Sequence, residues 1–298
     1  MILRPETMQK IKFYLPGFTK NLNINLALIE SKIRHGECFD KNVEFASFFG
    51  TFPNAIWNGG RCEFGQIDIL KFQDIVECVN SYGIAIRYTF TNCLIGEEHL
   101  ADEYCNKLME ICNNGKNEVL VNSRLLENYL RLHYPRFKYI LSTTALTRRA
   151  EAVNEACENY DLVVADYRDV KNDDFLHGII KRNKVEILLN ESCLLDCIYR
   201  KIHYEEISRA QMALKDSGAE RKCRYNDLSR FGEAYISKDT MYNKLIPLGF
   251  VNYKIRGREM KPDKLLREYF RYLVKPQSDR IVYDDIKLYS KTFDFGVL

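Results

Sequence analysis

The feature that most constrains the fold is a regular alternation of strand-like and helix-like segments along most of the 298 residues. Short apolar runs bounded by turn residues, each followed by a segment with helical spacing, predict buried parallel strands joined by right-handed crossovers. Eight such strand-then-helix units fit within about the first 275 residues. The predicted strands are 11–15, 43–49, 84–90, 119–121, 139–141, 162–165, 185–189 and 250–255.

Eight units over this length predict an α/β fold, a (β/α)8 TIM-like barrel that is either closed or irregular and incompletely closed. The alternative is an open doubly wound sheet. Such a sheet normally has a glycine-rich phosphate loop after its first strand, which Leu15-Pro16-Gly17-Phe18 is not. We expect one barrel domain over 1–275, with a polar insertion at about 215–230, and a C-terminal tail over 276–298 packed on the barrel.

The overall composition narrows the function only a little. With 44 basic and 41 acidic residues, the net charge of +3 neither indicates nor excludes a nucleic-acid partner. No apolar run is long enough to span a bilayer and no secretory signal is recognisable, so a cytoplasmic protein is expected.

Ten cysteines are many for such a chain. Four of them lie in amphipathic helical patterns, where they are predicted to be small core side chains: Cys78, Cys105, Cys112 and Cys157.

Polar side chains follow nearly every predicted strand, and in a barrel these strand ends converge on one face. The set is Asn92, Asn122, Ser142, Asp166, Arg168, Asn190, Glu191, Lys254 and Arg258. Turn formation and helix capping explain Asn122 and Ser142 adequately. The charged Glu191, Lys254 and Arg258 are not capping residues, so they are candidates for a site.

The densest group of reactive side chains follows the seventh predicted strand. Cys193, Cys197 and His203 lie there within a few residues of one another, and Cys223 follows in the polar insertion. Zinc sites more often use C-x2-C pairs, whereas iron–sulfur clusters accept more varied spacings. Cys62, after the second strand, lies on the same predicted face. From spacing alone, a metal site and inert thiols are equally compatible.

The segment 190–204 resembles the signature of the collagenase-like U32 peptidases, although Ile198 replaces their usual proline. Three further segments agree with that family in the right order: Phe49-Gly50 with Gly60-Arg61, Tyr82-Gly83-Ile84 through Asn92-Cys93, and Tyr253 to Arg258. The resemblance implies a (β/α)8-like barrel. Several relatives are oxygen-independent hydroxylases that act on ubiquinone precursors or RNA bases. These relatives carry a four-iron four-sulfur (4Fe-4S) cluster on four cysteines.

The first hypothesis from the resemblance is an iron–sulfur enzyme acting on a small or nucleotide-sized substrate. The implied cluster ligands are Cys62, Cys193, Cys197 and Cys223. The expected catalytic residues are Glu191 or His203 as acid–base group and Lys254 and Arg258 as the anion-binding pair. The expected substrate-binding residues are Asn92, Asp166, Asn190 and Arg200.

Two alternatives stay open. One is a zinc peptidase or hydrolase in which Cys193, Cys197 and His203 hold the metal and Glu191 activates water. The other is a non-catalytic barrel subunit of a heterocomplex, because some family members act with a protein partner. The aromatic tail, with Tyr283, Tyr289, Phe293 and Phe295, would then be a docking segment. We expect instead that it packs on its own barrel as a strand or strap.

Overall fold

Eight short strands form the centre of the protein. The computed structural model describes residues 10–65, 67–215, 218 and 232–293. The strands are β1 (Ile11–Pro16), β2 (Val43–Gly50), β3 (Ala85–Phe90), β4 (Glu118–Val121), β5 (Lys138–Leu141), β6 (Leu162–Val164), β7 (Val185–Leu188) and β8 (Asn252–Lys254). Every strand end lies within two residues of the end predicted from the sequence.

Helices follow each strand and surround the sheet. They are α1 (Leu22–Arg34), α2 (Ile69–Ser81), α3 (Glu103–Cys112), α4 (Arg124–His133), α5 (Ala150–Asn159), α6 (Asp173–Gly178), α7 (Arg200–Met212), α8 (Lys238–Thr240, continued by a π-helical turn at Met241–Leu245), α9 (Pro262–Leu273) and α10 (Asp279–Tyr289). Several helices have an N-terminal capping side chain. Asp68, Asp102 and Ser123 each accept a hydrogen bond from a backbone N–H of the first turn. These caps satisfy donors that would otherwise lack partners.

The sheet is a closed parallel barrel. Each strand pairs with its neighbour in chain order, and β8 pairs with β1. Across that last seam Tyr14 lies opposite Lys254, and on the other side Leu188 lies opposite the same lysine. The predicted (β/α)8 barrel is therefore confirmed, and the barrel is closed. The open doubly wound sheet is excluded.

Side-chain alternation along β3 shows how the barrel is packed. Ile86, Tyr88 and Phe90 point outward into the layer between sheet and helices, where the Tyr88 hydroxyl donates to the Leu108 carbonyl of α3 at 2.8 Å. Arg87, between them, points inward and reaches Glu186 of β7 across the barrel. Successive strand residues face opposite sides of a sheet, so one strand contributes to both layers.

The barrel interior has an apolar part and a charged part. Leu120, Ile140 and Val164 form a small separate apolar cluster contributed by β4, β5 and β6. The remaining interior holds buried charged side chains: Arg87, Glu118, Glu186 and Lys254. Barrels of this class are usually filled by branched aliphatic side chains. A buried charge is costly unless it is paired, so this interior depends on how its ions are arranged.

The C-terminal tail forms α10, a helix rather than the expected strand or strap, and packs on α1. Val282 and Ile286 are buried in this contact, and the Arg34 guanidinium lies 4.3 Å from the Tyr289 ring centroid.

Phe295, most of the polar insertion and Cys223 lie outside the described residues. Within the described ranges, no helix is both long and apolar enough to cross a membrane.

Candidate functional site

A pocket with an empty volume of about 590 Å³ opens at the carboxyl end of the barrel. Its walls come from the segments after β2, β3, β5, β7 and β8, which is where enzymes of this architecture build their sites. The charged side chains that line it are Arg61, Glu191, Arg200, Lys254, Arg256, Arg258 and Glu259. Five cations face two carboxylates, so the lining carries an excess of positive charge.

Lys254, the last residue of β8, lies at the floor of this pocket. Its Nζ is 3.6 Å from Glu186 Oε1 and 4.0 Å from the centroid of the Phe49 ring. Burial lowers the pKa of Lys254 to about 7; Arg87 and Arg258 lower it too, while Glu186 partly opposes the change. Both protonation states of this amine are therefore populated near neutral pH, as an acid–base group requires.

A chain of ion pairs runs beneath Lys254. Arg87 Nη1 donates to Glu186 Oε2 at 2.5 Å, and Arg87 Nε donates to Glu118 Oε2 at 2.7 Å. The guanidinium also lies 4.1 Å from the Tyr14 ring centroid. Glu186 Oε1, on the Lys254 side, is buried and has no hydrogen-bond partner. The arginine therefore fixes one carboxylate oxygen and leaves the other facing the lysine.

Arg200, the first residue of α7, is buried between two aromatic rings. Its guanidinium carbon lies 4.2 Å from the Tyr167 ring and 4.8 Å from the Tyr204 ring. The Tyr167 hydroxyl donates to the Leu194 carbonyl at 2.8 Å, which fixes that ring. Among the described residues the buried Nε of Arg200 has no hydrogen-bond partner. A buried guanidinium with free donors that lines a pocket is suited to an anionic ligand.

Arg258, after β8, spans the pocket mouth to β3. Its Nη1 donates to Thr89 Oγ1 at 2.7 Å, and its guanidinium carbon lies 5.9 Å from the Phe49 ring. Thr89 in turn donates to the Gly50 carbonyl at 2.8 Å. These contacts hold the Arg258 guanidinium over the same cavity as Lys254.

Glu191 organises the loop after β7. Its Oε1 accepts from the backbone N–H groups of Ser192 at 2.8 Å and Cys193 at 3.1 Å, and lies 3.3 Å from Arg256 Nη1. Burial alone would raise its pKa, but Arg256, Arg200 and Arg61 hold it below the ordinary value. These contacts suit a carboxylate that stays ionised and holds the loop, more than one that exchanges protons.

Three of the four predicted substrate-binding residues have hydrogen-bond partners within the protein. Asn190 binds the Arg256 backbone and Glu268, while Asn92 binds the carbonyl groups of Ile56 and Ser208. Asp166 forms a two-point pair with Arg168, at 2.8 and 2.6 Å. All three are fully buried and none is among the residues lining the pocket. Their contacts explain them as residues that hold the loops in place.

The cysteines separate into two places. Cys193 and Cys197 are neighbours in the loop after β7; burial raises the pKa of the Cys197 thiol, and the nearby Cys193 thiol raises it further. Cys62 lies instead against α7, with its sulfur 3.6 Å from the Ile207 carbonyl oxygen. His203 is half-buried in the first turns of α7. In the described part of the chain, no three His, Cys, Asp or Glu side chains form a group that could hold a metal.

Two thiols side by side would fit two positions of an iron–sulfur cluster. The orientation of Cys62 toward α7 does not supply a third, and Cys223 lies outside the described residues. The zinc set of Cys193, Cys197 and His203 is likewise not brought together as a three-ligand group among the described residues. The described part of the chain therefore offers a thiol pair and not a complete metal site.

Several site residues were not predicted from the sequence. Arg87 and Glu186 lie inside strands, and a charge within an otherwise apolar strand was the available signal. Tyr167 and Tyr204 enclose Arg200 only after the chain has folded. Arg256 is a charged residue after β8, between the predicted site residues Lys254 and Arg258.

Comparisons with known proteins support the fold. No family model matches the sequence, and no curated protein matches it. Among solved structures, the U32 peptidase Mk0906 is similar, with a TM-score of 0.56 and 12% sequence identity. The similarity covers 86% of this chain and 95% of that chain. At this identity the likeness establishes a U32-peptidase-like barrel fold.

Proposed function

We propose that this chain is an enzyme that binds a small anionic substrate at the carboxyl mouth of its U32-peptidase-like barrel. Lys254 would serve as the acid–base group, with Arg200 and Arg258 as the anion-binding residues. The observation that carries the proposal is the Arg200 guanidinium, buried between two tyrosine rings with its Nε unpartnered among the described residues. A carboxylate or phosphate group would satisfy these donors.

The electrostatics of the pocket agree with this assignment. Glu191 and Glu259 each form an ion pair with Arg256. Burial, with Arg200 partly opposing it, raises the pKa of Tyr204 to about 12, so its ring stays neutral beside the guanidinium. An entering anion therefore meets positive charge at the site without a competing carboxylate hydrogen-bonded to Arg200 among the described residues.

Lys254 suits proton transfer because its two protonation states are close in free energy at neutral pH. In its neutral form it can accept a proton from bound substrate, and in its charged form it lies next to Glu186. The side chains of Arg258 and Phe49 restrict the space around the amine. Arg200, Arg258 and Lys254 line the same pocket, so a substrate bound to the arginines would share that pocket with the lysine.

Binding measurements test the anion site. Isothermal titration of the purified protein with inorganic phosphate and with a small carboxylate should give saturable binding that Arg200→Gln weakens by about 10-fold or more, the usual scale for a charged hydrogen bond. Arg148→Gln is the matched control, because Arg148 pairs with Asp169 and is not among the residues lining the pocket. Equal binding by the two variants would contradict the proposal.

A second candidate is the iron–sulfur hydroxylation implied by the sequence resemblance. The adjacency of Cys193 and Cys197 favours it. A bound cluster would supply electron-transfer chemistry, while the arginines and Lys254 would bind and orient substrate. Anaerobic purification should then give about four irons and four labile sulfides per chain, as a 4Fe-4S cluster requires. Cys193→Ser would lose both and Cys78→Ser would not. About one zinc without iron would favour the hydrolase alternative.

A further inference from the structure

The amine of Lys254 is held close to a carboxylate without being locked in a hydrogen bond. Its 3.6 Å separation from Glu186 Oε1 is too long for one, and the other Glu186 oxygen is fixed by Arg87. The Phe49 ring covers another side of the amine at 4.0 Å. Lys254 also lines the open pocket, and its side chain keeps 9% of its solvent exposure.

This environment favours a nucleophile as well as a base. Lysine amines become nucleophilic when they are desolvated or placed beside other cations, and they then condense with carbonyl groups. Lys254 meets both conditions, because it is nearly excluded from solvent and lies near Arg87 and Arg258. Glu186, from β7, is the carboxylate beside it and can stabilise a positive charge on the nitrogen.

We propose that Lys254 Nζ forms an imine with the carbonyl carbon of a small oxo acid whose anionic group is bound by Arg200. This substrate class rests on the proposed anion site. The nitrogen lone pair of the neutral amine forms the N–C bond, the C=O π bond breaks, and one amine hydrogen moves to the oxygen as a proton to give a carbinolamine. The hydroxyl then leaves with the second amine hydrogen as one water, and the C=N bond forms. No oxidant or reductant takes part.

The imine would be useful because it withdraws electrons from the adjacent carbon. Protonated on nitrogen, it acidifies a neighbouring C–H bond or weakens a neighbouring C–C bond. The Arg200 guanidinium would orient the oxo acid so that its carbonyl carbon faces the amine. The positive charge of the protonated imine would lie where the Lys254 ammonium lies, beside Glu186.

Selective trapping tests this inference. The protein is incubated at pH 7 with glyoxylate, an aldehyde that carries a carboxylate, and in parallel with propionaldehyde, which is neutral. Cyanoborohydride reduces any imine, and peptide mapping by mass spectrometry locates it. An ordinary lysine is only about four parts in ten thousand neutral at this pH, so Lys254 should be labelled far ahead of surface lysines. Lys254→Arg should lose the label, and Lys181→Arg, on the surface beside Glu158, should keep it.

The substrate class is tested by comparing the two aldehydes. Arg200→Gln should slow glyoxylate labelling by about 10-fold or more and leave propionaldehyde labelling unchanged, because only glyoxylate uses the guanidinium. Labelling of Lys254 no faster than that of surface lysines would overturn the imine. If phosphate binding still depended on Arg200, the proposed function would stand while the imine failed. Equal effects of Arg200→Gln on both aldehydes would overturn the oxo-acid assignment. Circular dichroism of Lys254→Arg and of a second variant, Lys254→Met, checks that lost labelling does not reflect misfolding.

Discussion

The amine of Lys254 lies 3.6 Å from the Glu186 carboxylate, although both side chains are nearly excluded from solvent. Burial lowers the pKa of the lysine to about 7, and Glu186 at this separation opposes the change only in part. The chemistry proposed for the pocket depends on this relationship.

The first prediction concerns stability against pH. The pKa of Lys254 falls from 10.5 to about 7 on folding, so between these values the unfolded chain binds more protons. Stability from this group therefore rises with pH across that window. Relative to Lys254→Met, wild type should gain about 2–3 kcal/mol in unfolding free energy from pH 7 to pH 9. Urea unfolding measures it, with the exposed Lys181→Met as control. A pH-independent difference would mean that Lys254 has an ordinary pKa.

The second prediction concerns Glu186 as a positioning residue. Glu186 raises the pKa of Lys254 against the larger effect of burial, so Glu186→Gln should lower that pKa further. The pH at which aldehyde labelling of Lys254 reaches half its maximum should move to lower pH. A purely structural role would reduce the labelled amount without moving the midpoint. Glu44→Gln, in a surface pair with Lys10, is the control.

The third prediction concerns Arg87. Arg87→Met leaves Glu118 buried without its cation and leaves Glu186 only the more distant Lys254. Breaking a buried pair from one side typically costs about 3–5 kcal/mol. Arg280→Ala removes an exposed pair with Asp284 and should cost less than about 1 kcal/mol. Chemical denaturation measures the free energy of unfolding of both variants. Similar losses would show that the interior ion pairs stabilise the protein no more than surface pairs do.

The fourth prediction uses two glycines. A Cβ at Gly59 would lie 2.3 Å from the backbone carbon of Thr91, so Gly59→Ala must displace the pocket wall. Overpacking of this kind costs about 1–3 kcal/mol. Phosphate binding should weaken with it, because Gly59 lines the pocket. Gly36→Ala meets no atom within 4 Å and should change neither property. Thermal unfolding measures the stability and titration calorimetry measures phosphate binding. If Gly59→Ala changed neither, the loop would be able to move and accept the methyl group.

The barrel could be predicted from the sequence because each strand is a short apolar run with a clear end. The charged interior could not, because outward-facing residues such as Ile86 and Tyr88 give β3 its apolar character whatever stands between them. Arg87 meets a partner 99 residues away in sequence, and no local pattern encodes that meeting. Lys254 and Arg258 were expected at the strand ends, and both line the pocket there.

Side-chain direction was the hardest part of the site to predict. Asn92 and Asn190 follow strands as expected, yet their side-chain amides donate hydrogen bonds to backbone carbonyl groups of loops. Cys62 follows the second strand as expected, but its thiol meets α7. Which way a loop side chain points depends on tertiary contacts that periodicity does not describe. The metal assignment therefore stays a prediction, with Cys223 outside the described residues.

The Arg87–Glu186 ion pair joins the third strand to the seventh across the barrel. It therefore ties the first four strand–helix units to the last four. A fragment ending after α4 would expose to water the face that the other half normally covers, with Arg87 missing one of its two carboxylates. The two halves should for this reason fold as one cooperative unit, and separately expressed halves should become ordered only when they are mixed.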